Sequence, residues 1–166
     1  MKQLPIVAVS ACLLGQKVRY DGEHKYTRLI AEELNKYCQL IPVCPEVEIG
    51  LGVPREKIQL TQVGSTIKVL TLNKAKEDVS ADLISFAKKF VTQNSFSGLI
   101  LQDKSPSCGV NNTKLYSEAG QQIGLSSGLF AATVMSLLPH VIIVQESQLQ
   151  NEKEIENFLN RLGVYR

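Results

Sequence analysis

The chain has 166 residues, of which 44% are hydrophobic and 20% charged, with a net charge of +2 and a pI near 8.3. That size and balance suit a soluble globular protein, and residues 1–166 are expected to form one α/β domain with a sizeable core. The same values exclude a basic nucleic-acid surface, since no Lys/Arg cluster appears, and a membrane span, which needs ~18 consecutive apolar residues.

Residues 4–9 are an unbroken apolar run and read as a strand buried on both faces. No small-residue cleavage site follows a long apolar stretch, so no signal peptide is expected and the chain is assigned to the cytoplasm. In 24–37 the residues Tyr26, Leu29, Ile30, Leu34 and Tyr37 recur near helical spacing, which predicts a helix. Residues 39–43 read as a second buried strand, completing a βαβ unit. Residues 45–57 are punctuated by Pro45, Gly50, Gly52 and Pro54 and are expected to be irregular. Residues 59–63 and 66–72 flank Gly64-Ser65 and predict a β-hairpin, taken as an excursion at the sheet's edge.

Val79, Leu83, Phe86, Ala87 and Phe90 mark a long amphipathic helix over 77–94. Residues 98–102 form a third core strand. The polar, Ser-, Asn- and Gly-rich stretch 103–126 carries no assignment; a loop of that length is usually functional or partly structured. Its Gly120 and Gly124, with Gly128 at the start of an apolar helix over 127–138, hint at a phosphate loop, but the Gly-Lys-Ser/Thr of one is missing. A fourth core strand at 141–144 and a helix over 152–162 complete the chain. The alternation predicts a Rossmann-like three-layer α/β sandwich with a mostly parallel central sheet.

Three of the four cysteines stand just past apolar runs: Cys12, Cys44 and Cys108. If those runs are parallel strands, the thiols meet at the carboxyl edge of the sheet, where open α/β sheets bind ligands. Without an export signal, four cysteines in a chain this long are better read as thiols or metal ligands than as bridges. Pro42 and Pro45 flank the Cys44 segment, and Gly109, which permits positive φ or close approach, follows Cys108. Such rigid short loops suit soft-metal ligation. The plain alternative is a set of small buried side chains, the usual fate of free cysteine. Cys38 lies before a strand, on the opposite edge, and is read as structural.

Thiolates select zinc or iron–sulfur clusters. Zinc would need His24 or His140, and neither stands in a Cys/His spacing. A cubane on three thiolates needs no histidine and leaves one iron open, which suggests catalysis. Glu46, two residues from Cys44, is a candidate acid–base group, with a solvated loop carboxylate as the alternative. Asp21 in Arg19-Tyr20-Asp21-Gly22 is a further candidate, although Asp-Gly is a common turn pair. Ser105 and Ser107 flank Pro106 and are turn-formers by default. Arg55 either binds an anion or pairs with Glu46 or Glu48.

Five segments together carry a resemblance: Val9-Ser10-Ala11-Cys12-Leu13-Leu14-Gly15, Arg19-Tyr20-Asp21-Gly22, Pro42-Val43-Cys44-Pro45-Glu46, Gly50-Leu51-Gly52-Val53-Pro54-Arg55 and Lys104-Ser105-Pro106-Ser107-Cys108-Gly109. In this order, spanning most of the chain, they resemble the thiouracil desulfidase family. The resemblance implies a Rossmann-like domain holding a [4Fe-4S] cluster on Cys12, Cys44 and Cys108. It further implies a hydrolase that takes sulfur from a thiolated nucleobase such as 2-thiouracil, giving the oxo-base and sulfide, with Glu46 and Ser105 as acid–base candidates. Many relatives place a cysteine where this chain has Val18, which cannot ligate. The competing reading is a cluster- or zinc-binding sulfur-transfer or sensing module without hydrolysis.

Overall fold

The structure, a computed structural model, describes residues 3–164. Its central sheet grows from strand β1 (Ile6–Ser10), four of whose five residues are buried. A strand buried on both faces needs neighbours on both edges and layers above and below. β1 pairs in parallel with β2 (Gln39–Val43) on one side and with β5 (Gly98–Leu101) on the other, and β5 pairs in parallel with β8 (Ile142–Gln145). The order is β2-β1-β5-β8.

Side chains alternate across these strands and sort the core into two layers. Val7, Val9, Ile100 and Val144 face Ile30, Leu34, Ile155, Phe158 and Leu159. Those partners come from a π-helical turn at Leu29–Glu33, a 3-10 turn at Leu34–Lys36 and helix α4 (Glu152–Arg161). On the other face Ala8, Leu99 and Leu101 pack on Ala87, Phe90, Phe130, Ala131 and Val134, from α2 (Ser80–Gln93) and α3 (Leu129–Leu137). There Phe130 stacks on Phe86 at 5.7 Å and meets Phe90 edge-on at 5.8 Å. This is the expected three-layer α/β arrangement.

The chain winds from β1 outward to β2 over one face, then returns over the other face to β5. The direction of winding therefore reverses between β1 and β5, and the crevice of an open α/β sheet opens at the carboxyl ends of such a pair.

Three local expectations are corrected. The hairpin of β3 (Ile58–Val63) and β4 (Thr66–Thr71) is not an edge excursion of the central sheet. It is half of a second, mixed sheet of order β4-β3-β6-β7. β6 (Thr113–Ser117) runs parallel to β3, and β7 (Gln122–Ser126) closes antiparallel on β6. Both lie in the polar stretch left unassigned. Only one side of this sheet is apolar, with Leu60 and Val69 packed on Val79 and Leu83 at the start of α2. Ile123 and Leu125 alternate with Gln122, Gly124 and Ser126 along β7, but they face solvent, so this alternation does not mark a buried face.

The predicted helix over 24–37 shrinks to the π and 3-10 turns. The Lys25 and Thr27 amides donate to the Cys12 and Leu13 carbonyls, at 2.9 and 3.0 Å, which draws 24–27 out of any helix. The expected loop 45–57 begins with a short helix, α1 (Pro45–Glu48), whose first-turn proline is pre-set for it.

Candidate functional site

Each strand end turns a cysteine into one small cleft of about 30 Å³, lined by Cys12, Cys44 and Cys108 together with Ser10, Arg19, Glu46, Arg55, Gln102 and Ser105. After β1 the chain enters a 3-10 turn, Ala11–Leu14, that carries Cys12. Cys44 is the residue that opens α1. Cys108 lies in the loop following β5. Cys38, 1% exposed, sits just before β2 at the other end of the sheet and does not join them.

The thiols are held individually. Cys12 Sγ donates to Gln102 Oε1 at 3.0 Å, and Cys44 Sγ faces the Val18 carbonyl oxygen at 3.8 Å. Cys108 shares a hydrogen bond with Ser10. Ser10 Oγ in turn accepts from the Gln102 amide at 3.0 Å, tying the ends of β1 and β5 together.

Burial pushes the Cys12 thiol up to about 12, with Glu146 and Cys44 adding to the rise. Burial, then Glu46 and Cys44, holds Cys108 well above the ordinary thiol range. Cys44 is also raised by burial, although the Val47 and Glu46 amides at the start of α1 oppose it. Protonated thiols are poor nucleophiles, whereas a bound cation removes the proton outright. Among the described residues no three Cys, His, Asp or Glu side chains converge on the position of a single ion. The three thiols line one cleft from three separate loops, and a cluster takes one thiolate per metal atom. A lone tetrahedral zinc, with Zn–S of ~2.3 Å, needs donors gathered at a point.

The Cys108 loop is tightly built. Ser105 Oγ accepts from the Ser107 amide at 3.2 Å and the Cys108 amide at 3.1 Å. With both acceptor positions used, its hydroxyl proton is left to donate. The Ser105 carbonyl accepts from the Gly109 amide and from Thr113 Oγ1, both at 2.8 Å. The first amides of α3 dock on the same loop: Leu129 donates to the Pro106 carbonyl at 3.1 Å and Ala131 to the Ser107 carbonyl at 3.0 Å. A Cβ on Gly128 would overlap the Ser107 backbone, so this glycine serves close packing. It does not serve the phosphate loop that its spacing hinted at.

Glu46 Oε1 pairs with Arg55 Nε at 3.2 Å, and Glu46 Oε2 accepts from Ser107 Oγ at 3.2 Å. Of the alternatives open for Arg55, the structure selects the pair with Glu46. Asp21 is not brought to the cleft: it is exposed, its Oδ1 accepting from the Glu23 amide at 3.0 Å in a turn. His24 is exposed as well, its Nδ1 accepting from the Tyr26 amide at 3.0 Å. It lines a wider, open groove with Lys25 and Glu146 that contains none of the thiols.

Sequence reasoning missed Ser10 and Gln102. Each is a polar residue closing an otherwise apolar strand run, and that abrupt change of polarity is the signal that marks them.

A family described as 2-thiouracil desulfurase matches residues 7–146. Over 113 residues, 63% of this chain and 73% of the other, the sequence is 29% identical to the uncharacterized protein YbbK of Bacillus subtilis (strain 168). The fold matches the solved structure of TudS, a [4Fe-4S]-dependent thiouracil desulfidase, with a TM-score of 0.67 and 28% identity, covering 95% of this chain and 99% of that one.

Proposed function

This chain belongs to the 2-thiouracil desulfurase family, and from that premise we propose that it is a [4Fe-4S]-dependent desulfidase acting on thiolated pyrimidines such as 2-thiouracil. The observation that carries the reading is the meeting of Cys12, Cys44, Cys108, Glu46 and Ser105 in one cleft, from three separate strand ends. The donor set fits the group. Three soft thiols lining one cleft, with no fourth beside them, would each hold one iron and leave one open. When bound, the cluster supplies a soft Lewis acid for a thiocarbonyl sulfur.

The chain's own groups do the rest. Ser105, fixed as a donor, presents its O–H to the substrate. Glu46 accepts a proton from the water that adds to the carbon bearing sulfur. One water enters; its oxygen stays on the ring carbon as C=O, and both its protons leave with the sulfur as hydrogen sulfide. No electrons are gained or lost, so the reaction is a hydrolysis. Asp21, outside the cleft, has no step in this scheme.

The test is anaerobic reconstitution followed by iron and acid-labile sulfide analysis, then an assay for sulfide and uracil from 2-thiouracil. Iron and sulfide in equal amounts, with turnover, support the reading. A stable cluster without sulfide release would make the protein a binding or sulfur-transfer module. Failure to bind iron would overturn the reading and leave the zinc-binding module.

A further inference from the structure

We infer that Arg55 and Ser107 are positioning residues that fix the plane of the Glu46 carboxylate; the inference rests on the acid–base role proposed for Glu46. A glutamate carboxylate turns easily about its last torsion, which has a broad, roughly two-fold profile. One partner would leave that rotation open. Glu46 has a donor on each oxygen, Arg55 Nε on Oε1 and Ser107 Oγ on Oε2. The two donors come from different loops, so they also tie the β2 strand end to the β5 strand end.

Both donors are committed. The Arg55 side chain is 5% exposed, its Nη1 donates to the Gly52 carbonyl at 2.9 Å, and its backbone amide donates to the Tyr20 carbonyl at 2.9 Å. A guanidinium so removed from water is costly unless paired, and Glu46 is the carboxylate it meets. Ser107 is fully buried. Its amide is spent on Ser105 Oγ and its carbonyl on Ala131, which leaves the hydroxyl for Glu46. Ser107 therefore joins Ser105, Cys108 and Glu46 into one rigid unit. Glu46 keeps 16% of its side chain exposed and lines the cleft, so its remaining lone pairs have access to a bound molecule.

A purely structural ion pair would hold the loops together whatever stood at the reacting centre. The two roles separate in a double-mutant cycle. Arg55→Ala and Ser107→Ala are made alone and on Glu46→Gln, reconstituted anaerobically, and read for iron per chain, thermal midpoint, kcat and KM with 2-thiouracil. Each single variant should lose ~10- to 100-fold in kcat, the scale of an ångström's misplacement. KM and iron content should change little, while the thermal midpoint falls in both, since each substitution removes a buried contact between two loops. On Glu46→Gln neither substitution should cost anything further.

Added guanidinium ion should restore part of the lost kcat in Arg55→Ala. It should do nothing for Ser107→Ala. Unchanged kcat in both single variants, losses that add fully on Glu46→Gln, or iron loss matching the activity loss overturns the inference. If Arg55→Ala fails to fold, Ser107→Ala carries the cycle, and if Glu46→Gln falls below detection, guanidinium rescue decides. Normal turnover in Glu46→Gln itself would strike the underlying role of Glu46, and the positioning role with it.

Discussion

The two ends of the central sheet hold the same residue type in different company. At the carboxyl end Cys12, Cys44 and Cys108 share a cleft with Arg19, Glu46, Arg55 and Ser105, and neighbouring charges act on all three thiols. At the amino end Cys38 lies among Val7, Leu34 and Phe158, and burial alone pushes its thiol up to about 11. Burial is therefore common to both ends and does not mark a site. What marks it is convergence from separate loops, with a polar partner for each sulfur. The carboxyl end gains this because the winding reversal between β1 and β5 opens a crevice there.

The widest break in the comparison is ligand removal. Replacing Cys12, Cys44 or Cys108 by alanine should each abolish stable cluster assembly, whereas Cys38→Ala should bind iron fully; anaerobic iron analysis decides. If any of the first three retains normal iron, the two ends are not distinct in the way described here.

Next in size is the acid–base group. Glu46→Gln should keep the cluster and lose roughly 10²–10⁴ in turnover, the usual worth of a positioned acid or base. Ser105→Ala removes a donor and also strands two amides; sulfide release per cluster should drop ~10²–10³. Near-normal turnover in Ser105→Ala would return that serine to a turn-former.

Packing behind the site is a smaller lever. Gly128→Ala would force a methyl into the Ser107 and Cys108 backbone, so the loop must shift. Overpacking of this kind costs about 1–3 kcal/mol, readable by denaturant unfolding of the metal-free protein. Iron retention should fall with it, since Cys108 rides on that loop.

The smallest effect belongs to Cys38. Its alanine variant should lose about 1 kcal/mol, an ordinary cost for a buried substitution, with no change in iron or turnover. Its pH dependence has a definite sign. A thiol at 9.0 in the unfolded chain and about 11 in the folded one binds more protons when folded. Stability is thus held below pH ~9 and lost as pH rises toward ~11. Unfolding curves across that window should fall less steeply for Cys38→Ala than for the parent.

The central strands were legible because each is a continuous apolar run. β2 spans residues 39–43 as expected, and β1, β5 and β8 lie within one or two residues of their predicted bounds. The second sheet was only half legible. Its hairpin at Gly64 carries a turn signal, but β6 and β7 bury little and present Lys114, Ile123 and Leu125 to solvent or half to it. The short alternation in β7 turns its apolar residues outward, so it does not point to a core. The helix expected over 24–37 shows the opposite failure: apolar spacing was present, but the amides of Lys25 and Thr27 found better partners in the Cys12 turn.

By itself, the amino-acid sequence determined the parallel core and placed Cys12, Cys44 and Cys108 at strand ends, because apolar runs and the Pro and Gly beside them act over a few residues. It also determined that Glu46 lies within reach of Cys44, since two residues cannot separate far. Only the tertiary structure decided that β6 pairs with β3, that Arg55 rather than solvent meets Glu46, and that Ser107 bridges to it across a sequence separation of 61. It also decided that Asp21 stays outside the cleft. Those outcomes depend on hydrogen bonds and ion pairs between distant segments, whose partners are chosen by how the layers stack and not by any local pattern.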